Sequence, residues 1–306
     1  MLDPTELFPE VPNLYEFPSI HADMLFDEER VGKYAEAISR CVKKGDIVAD
    51  IGTGTGLLAF LCLQAGAKRV HAIERSSAIE WAKALAEKNG FSDRIVFHKE
   101  DSRHLELNEK VDVVVSELIG HIAFEEGMAE SLFDAKKRFL SSDGSMIPQN
   151  VDLRAALVNE KEIYADCIDC WLPIRGIDYS FLREEAIKSC YIAHVNDCDL
   201  MSEPITIASV DFQTDQMPLL SGTHTFRVVR KGHINGLALW FDAILAPSVR
   251  LSSGPWSRTH WKQCFAPIPN PMQVEKNEYV NANIEMRLRT KSDDIFEFRM
   301  NLAKGD

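Results

Sequence analysis

Apolar and polar positions divide the 306-residue chain into two textures. In the first half, short apolar runs near 47, 70, 96 and 112 alternate with helical spacing near 56, 78 and 126. That order predicts a doubly wound α/β domain with a parallel sheet. Val111, Val113, Val114 and Val115 form a β-branched run of the kind a strand buried on both faces requires. Ahead of these, 21–41 carries an apolar face of Met24, Leu25, Val31, Tyr34, Ala35 and Ile38 and predicts one helix; Pro4, Pro9, Pro12 and Pro18 exclude a long helix before Ile20. The spacing of Met128, Leu132, Ala135 and Phe139 predicts a helix over 124–140, with Glu126 near its start. Asp143-Gly144 reads as a turn. Beyond Pro148, alternation over 151–158, 205–212, 223–229, 237–245, 280–288 and 295–302 predicts an antiparallel barrel or sandwich. Between the first two of these strands, 160–190 is helical in pattern and carries Tyr164, Trp171, Tyr179 and Phe181. It is too apolar for a simple surface loop and is expected to bury itself against a second copy of the chain. The division expected is 1–148 and 149–306, with an arm at about 160–190.

Two stretches carry candidate chemistry. At 46–56 an apolar strand runs into glycines 52, 54 and 56 and then a helix, a turn that lets the backbone approach a ligand and aims helix N–H groups at it. The spacing is GxGxG, not the GxGxxG dinucleotide fingerprint. Glu74 closes the next strand about twenty residues on, where a carboxylate can accept from both ribose hydroxyls; Asp101 and Ser102 follow the third strand, in reach of an adenine. The second stretch is VDVVVSELIGHIAFEEGM, 111–128. Glu117 stands at the carboxyl end of its strand, where open α/β sheets bind ligands, and Glu126 comes nine positions later. Two carboxylates turned to one point form a receptor for a cation.

Composition narrows the picture. A net charge of −13 argues against a nucleic-acid surface and makes a basic partner electrostatically plausible. Seven cysteines, an odd number without framework spacing, fit reduced thiols; Cys167 and Cys170 form one CxxC with no second pair where zinc would need it, so no metal site is expected. No apolar run is long enough to span a bilayer and the acidic, proline-containing start is unlike a signal peptide, so the expectation is a cytoplasmic protein, or a nuclear one if eukaryotic.

With DIGTGTG, Glu74, SELIGHIAFEEGM and Arg258-Thr259-His260-Trp261 in one chain, the sequence resembles the protein arginine N-methyltransferases over nearly its whole length. Many S-adenosylmethionine enzymes share GxGxG. The two-glutamate loop followed by Thr-His-Trp about 140 residues later is specific. The resemblance implies a Rossmann-like methyltransferase domain, then a β-barrel with a helical dimerisation arm, binding S-adenosyl-L-methionine and releasing S-adenosyl-L-homocysteine. It implies that Asp50, Gly52, Gly54 and Gly56 line the cofactor with Asp101, Ser102 and Glu117, that Glu74 holds the ribose, and that Arg30 pairs with the cofactor carboxylate. It also implies that Met24 and Met128 border the sulfonium, that Glu117 and Glu126 clamp the substrate arginine beside Tyr15 and Trp261, and that Asp27 and His260 form a bridging pair. Departures from the family pattern are Val11 and Pro12 in the N-terminal aromatic motif and His121 where many relatives have Tyr. The expected partners are a basic, arginine-containing protein and a second copy of the chain. A methyltransferase for a small guanidine or amine, and a weakly active cofactor-binding scaffold, are the alternative readings. Taken singly, Asp27 and Arg30 fit an exposed helical pair, His260 a barrel histidine, and Met24 and Met128 core packing.

Overall fold

A computed structural model describes residues 17–214, 218–287 and 297–305. Tyr15, Val11 and Pro12 lie outside the described residues, as do position 288 and positions 295–296 of two expected strands. The chain forms two compact units. One contains the described residues up to Leu118, with Glu130–Gln149 and Ile244–Val249; the other contains Ile119–Ala129, Asn150–Ala243 and the described residues from Arg250 onward.

The first unit is built on a parallel sheet of β1 (Ile47–Ile51), β2 (Arg69–Ile73), β3 (Ile95–His98), β4 (Val111–Ser116) and β5 (Leu140–Ile147), in the order β3-β2-β1-β4-β5. The strand order reverses between β1 and β4, and the carboxyl ends of the strands at such a switch point are the usual ligand position in sheets of this kind. Ile51 pairs with Ser116, which sets Gly52 and Glu117 just beyond adjacent strand ends. Val48, Ala49, Val113, Val114 and Val115 are buried, as both faces of this sheet are covered.

Three local expectations change. The single helix over 21–41 is two, α1 (Pro18–Leu25) and α2 (Glu28–Cys41): Pro18 occupies the first turn of α1, where its missing N–H costs nothing, and Asp27 caps α2 by accepting from Arg30 N–H at 2.9 Å. After α3 (Leu57–Ala65) and α4 (Ala78–Lys88) comes α5, which spans Met128–Arg138, so Glu126 precedes the helix; Gly127, at φ +71°, cannot continue a right-handed turn back to Phe124. Asp143-Gly144 lies inside β5, where the pairing skips from Leu140 opposite Val111 to Ser145 opposite Val113, a bulge in place of a turn.

The second unit contains two antiparallel sheets. One has the order β7-β12-β10-β6-β8, with β11 also on β10; the other is β14-β13-β9. Their strands are β6 (Asn150–Val158), β7 (Tyr191–Ala193), β8 (Ile205–Asp211), β9 (Ser221–Arg227), β10 (Gly232–Ala246), β11 (Val249–Ser252), β12 (Gln263–Val274), β13 (Tyr279–Arg287) and β14 (Glu297–Lys304). β12 escaped the periodicity because QCFAPIPNPMQV holds three prolines. β7 pairs only with Gln263, Cys264 and Phe265, so the prolines fall where one edge of β12 needs no ladder donor. The 160–190 segment holds α6 (Lys161–Ile163), a π-helical turn (Tyr164–Ile168) and α7 (Ser180–Ala186). Tyr164 and Ile168 join Trp240, Phe265 and Val158 in a buried cluster, while Leu172, Ile174, Ile177 and Phe181 are exposed.

Candidate functional site

In the first unit the glycine turn after β1 has φ of +74°, +53° and +90° at residues 52, 54 and 56. The positive φ at Gly52 favours glycine there, and a Cβ would also lie 2.6 Å from Leu118 Cδ2 and displace that side chain. Gly52 and Thr53 N–H donate to Ile73 O, binding the turn to the end of β2. Glu74 then locks it further: Oε2 accepts from Gly54 N–H at 3.1 Å and Oε1 from Ser76 N–H at 2.7 Å. Asp50, fully buried at the end of β1, accepts from the Thr53 hydroxyl at 2.5 Å and Ala59 N–H at 3.1 Å, both on Oδ2. Its Oδ1 has no hydrogen-bond partner among the described residues, and burial pushes its carboxyl up to about 7 against those two bonds. A buried acceptor without a donor, beside a glycine cradle, is an opening for a polar ligand group.

The loop after β3 is held from α5. Arg138 bonds Asp134 one helical turn away, donates to Ser102 O at 2.5 Å and also to Leu105 O. Asp101 accepts from Arg103, which lowers its carboxyl to about 2. Asp101 and Ser102 thus sit on a loop tied by side chains of their own unit.

Glu117 follows β4 and is held by Arg30. Nε donates to Glu117 Oε2 at 2.8 Å and Nη2 lies 2.6 Å from the same oxygen, with the two side chains only 9% and 6% exposed. Arg30 Nη1 donates to Met24 O at 3.0 Å. Burial opposes the Arg30 charge, and the ion pair with Glu117 outweighs it, so the guanidinium is held above its ordinary range. Tyr34 is completely buried and donates to Ser116 O; burial and then the Glu117 charge push its phenol well up. The Arg30–Glu117 pair joins residues 87 apart, and no spacing rule in the sequence pointed to it.

In the second unit Glu126 is exposed in the turn before α5, and Met128 is buried at the start of that helix. Trp261, buried and edge-on to Phe241 at 4.8 Å, donates from its indole N–H to Ile119 O at 2.6 Å. In return His121 Nδ1 lies 2.7 Å from Trp261 O, a bond that its neutral form makes by carrying the proton on Nδ1. Burial, with the nearby charges of His260 and Lys262, lowers His121 from its ordinary range despite that bond. The His260 ring lies 4.1 Å from that of Trp261. The two-glutamate loop and the Thr-His-Trp segment are therefore cross-linked by two reciprocal bonds, one of them made by His121. Glu117 and Glu126, Asp27 and His260, and Met24 and Met128 each divide between the two units. Sequence reasoning missed Tyr34, Arg138 and Glu125; the Asp134–Arg138 spacing of four on a helix was the one visible signal. Among the described residues no group of three His, Cys, Asp or Glu side chains could hold a metal ion, and no helix is long and apolar enough to cross a membrane.

Comparison with known proteins gives this geometry a context. Residues 150–304 match a family model described as the arginine methyltransferase oligomerization subdomain, and residues 34–148 match that of ribosomal protein L11 methyltransferase. The chain is 30% identical over 288 residues to protein arginine N-methyltransferase 6 of Xenopus laevis, covering 89% of this chain and 84% of that protein. It is also 30% identical over 284 residues to protein arginine N-methyltransferase 1 of Saccharomyces cerevisiae, covering 89% and 81%. A solved structure, the Trypanosoma brucei PRMT1 enzyme-prozyme heterotetrameric complex with AdoHcy, shares the fold with a TM-score of 0.89 at 23% identity, covering 96% of each chain.

Proposed function

Because the chain belongs to the protein arginine N-methyltransferase family, we propose that it transfers a methyl group from S-adenosyl-L-methionine to a guanidinium nitrogen of arginine in a protein substrate, releasing S-adenosyl-L-homocysteine. The observation that carries this reading is the joining, at the β1/β4 switch point, of a glycine cradle to a carboxylate, Glu117, already held by a buried arginine. The residues present fit the cofactor: the turn at 52–56 lets the backbone approach closely, Asp50 Oδ1 awaits a donor, and Glu74 stands fixed at the end of β2. Met24, Arg30, Asp101, Ser102 and Met128 complete the proposed cofactor set. When bound, the cofactor supplies an electrophilic methyl group on a sulfonium.

A guanidinium is planar, delocalised and protonated, with a pKa above ~12, and its nitrogens are poor nucleophiles in water. In this proposal Glu117 and Glu126 hold its other N–H groups, draw positive charge away from one terminal nitrogen and aim that nitrogen. Their charge also offsets repulsion between two cations. Asp27 and His260 take up the departing proton, and Tyr15 and Trp261 border the substrate. The two antiparallel sheets form a barrel, and the 160–190 arm docks on a second copy. Its exposed Leu172, Ile174, Ile177 and Phe181 support a homodimer, since so many neighbouring large apolar side chains are rarely left wet. Sedimentation at micromolar concentration is expected to show twice the chain mass, and a fully active monomer would exclude the arm's role.

The test of the reaction is mass spectrometry after incubation with S-adenosyl-L-methionine and an arginine- and glycine-rich peptide. Arginine is expected to gain methyl groups. A matched lysine peptide is expected to gain none, because one ammonium cannot give N–H groups to both carboxylates and still present a lone pair.

A further inference from the structure

Positions 125 and 126 are both glutamate, and the structure gives them opposite settings within one turn. Glu126 is exposed. The Glu125 carboxyl folds back into its own loop, where Ile122 N–H lies 3.1 Å from both Oε1 and Oε2; burial raises its pKa, and the backbone N–H groups of the loop oppose that rise without cancelling it. A Cβ built on Gly120 would lie 2.1 Å from Glu125 Cδ and 2.4 and 2.5 Å from its oxygens. The carboxyl therefore fills the space a side chain at 120 would need. Gly120 and Ala123 exchange backbone hydrogen bonds across the turn, and Ala123 is held at φ +72°, a conformation disfavoured for alanine that a loop keeps only when its surroundings enforce it. The carboxyl is thus directed into its own loop and already shared with the Ile122 N–H.

From these contacts we propose that Glu125 is a positioning residue: it braces the backbone of the 120–126 turn from inside, so that the adjacent Glu126 is presented to the substrate guanidinium from a rigid mount. This rests on the reading of Glu126 as a substrate carboxylate. The adjacent pair divides the work, one carboxylate spent on the loop and the next on the ligand. Gly120 is the complementary part, kept free of a side chain so that the brace can close.

The experiment compares Glu125→Ala, Glu125→Gln, Gly120→Ala, the Gly120→Ala/Glu125→Ala double variant, Glu117→Gln and Glu126→Gln in the full chain. Readouts are kcat and KM for the arginine peptide, cofactor affinity by calorimetry, and thermal midpoint. Glu125→Ala is expected to lower kcat by about 10- to 100-fold, the scale of a small misplacement of a reacting group, while cofactor affinity stays within about twofold. Glu125→Gln is expected to recover most of that loss, since its amide oxygen still accepts from Ile122 N–H. Gly120→Ala, whose methyl displaces the carboxyl without removing it, is expected to reproduce the Glu125→Ala defect, and the double variant to be no worse than either single one. Wild-type kcat and peptide KM in Glu125→Ala, or losses that multiply in the double variant, would overturn the brace. A Glu125→Gln enzyme crippled while Glu126→Gln stays near wild type would overturn it too, by making Glu125 the substrate carboxylate. Near wild-type turnover in both Glu117→Gln and Glu126→Gln would remove the reading beneath it. Should Glu125→Ala not fold, Glu125→Gln and Gly120→Ala decide the matter.

Discussion

Glu74 and Glu126 carry the same chemical group in the two units and are held in opposite ways. Glu74 is half-buried at the end of a parallel strand, with both oxygens engaged by backbone N–H groups of the two turns it joins. Glu126 is exposed on a turn that owes its shape to other residues: Glu125 inside it, and Trp261 and His121 linking its loop to a segment 140 residues away. The first site is built by local chain geometry at strand ends. The second is built by long-range bonds between side chains and backbone. A site of the first kind fails by losing ligand affinity, whereas one of the second kind fails by losing alignment, so the two should separate in cofactor affinity and turnover.

The largest expected effect tests that separation directly. Glu126→Gln should lower the transfer rate by about two to three orders of magnitude, the cost of one preorganised electrostatic contact, with little change in cofactor affinity or thermal midpoint. Glu117→Gln should lose as much rate and also destabilise the fold, because it removes the carboxylate charge of a buried ion pair with Arg30, a change of about 3–5 kcal/mol where such pairs are broken. Equal thermal midpoints for the two variants, by calorimetry, would break the comparison.

Glu74→Ala comes next. It removes the acceptor for Gly54 and Ser76 as well as the proposed ribose contact, so cofactor affinity measured by titration calorimetry should fall by at least about tenfold, each charge-assisted bond contributing about 1.5–3 kcal/mol. An unchanged affinity would remove Glu74 from the cofactor site.

Asp50 sharpens the picture through pH. Its folded-state carboxyl is raised to about 7, above the ordinary value of about 3.9, so between about pH 4 and pH 7 the folded state holds a proton that the unfolded state has lost. Stability contributed by the neutral acid is full at low pH and is lost as pH rises through 7. Asp50→Asn should therefore raise the cofactor-free thermal midpoint at pH 8 and leave it nearly unchanged at pH 4. A pH-independent difference would show that burial does not control this group.

The smallest effect is expected of Trp261→Phe, which keeps most of the apolar packing on Phe241 and deletes the indole donor to Ile119 O. The loss of one buried bond should cost about 1 kcal/mol of stability and lower kcat several-fold without touching cofactor affinity. A drop in affinity instead would make the second site's alignment indistinguishable from the first site's binding.

Much of the first unit could be read directly from the chain. The β-branched run at 111–115, the glycines at 52, 54 and 56, and an acid at 74 have meanings set by local sterics and by the end of a parallel strand, and the structure places them there. Expectations failed where a neighbour in space outweighed local pattern. Asp143-Gly144 became a bulge because β4 was available to pair with, whereas the split of the helix expected over 21–41 is local, Asp27 accepting from Arg30 N–H three positions on. Three prolines hid β12, although an edge without a pairing strand tolerates them.

By itself the sequence determined the alternation of strands and helices, the cradle at the end of β1 and the presence of two candidate carboxylates, since these follow from spacing and backbone sterics within a few residues. Only the tertiary structure decided that Arg30 grips Glu117 across 87 positions, that His121 and Trp261 exchange bonds across 140, and that of two adjacent glutamates the first turns inward and the second faces water. The reason is common to all three. A side chain's charge and hydrogen-bonding capacity are fixed by its type, but its partner is selected by which elements the fold brings within about 3 Å, the range over which hydrogen bonds act.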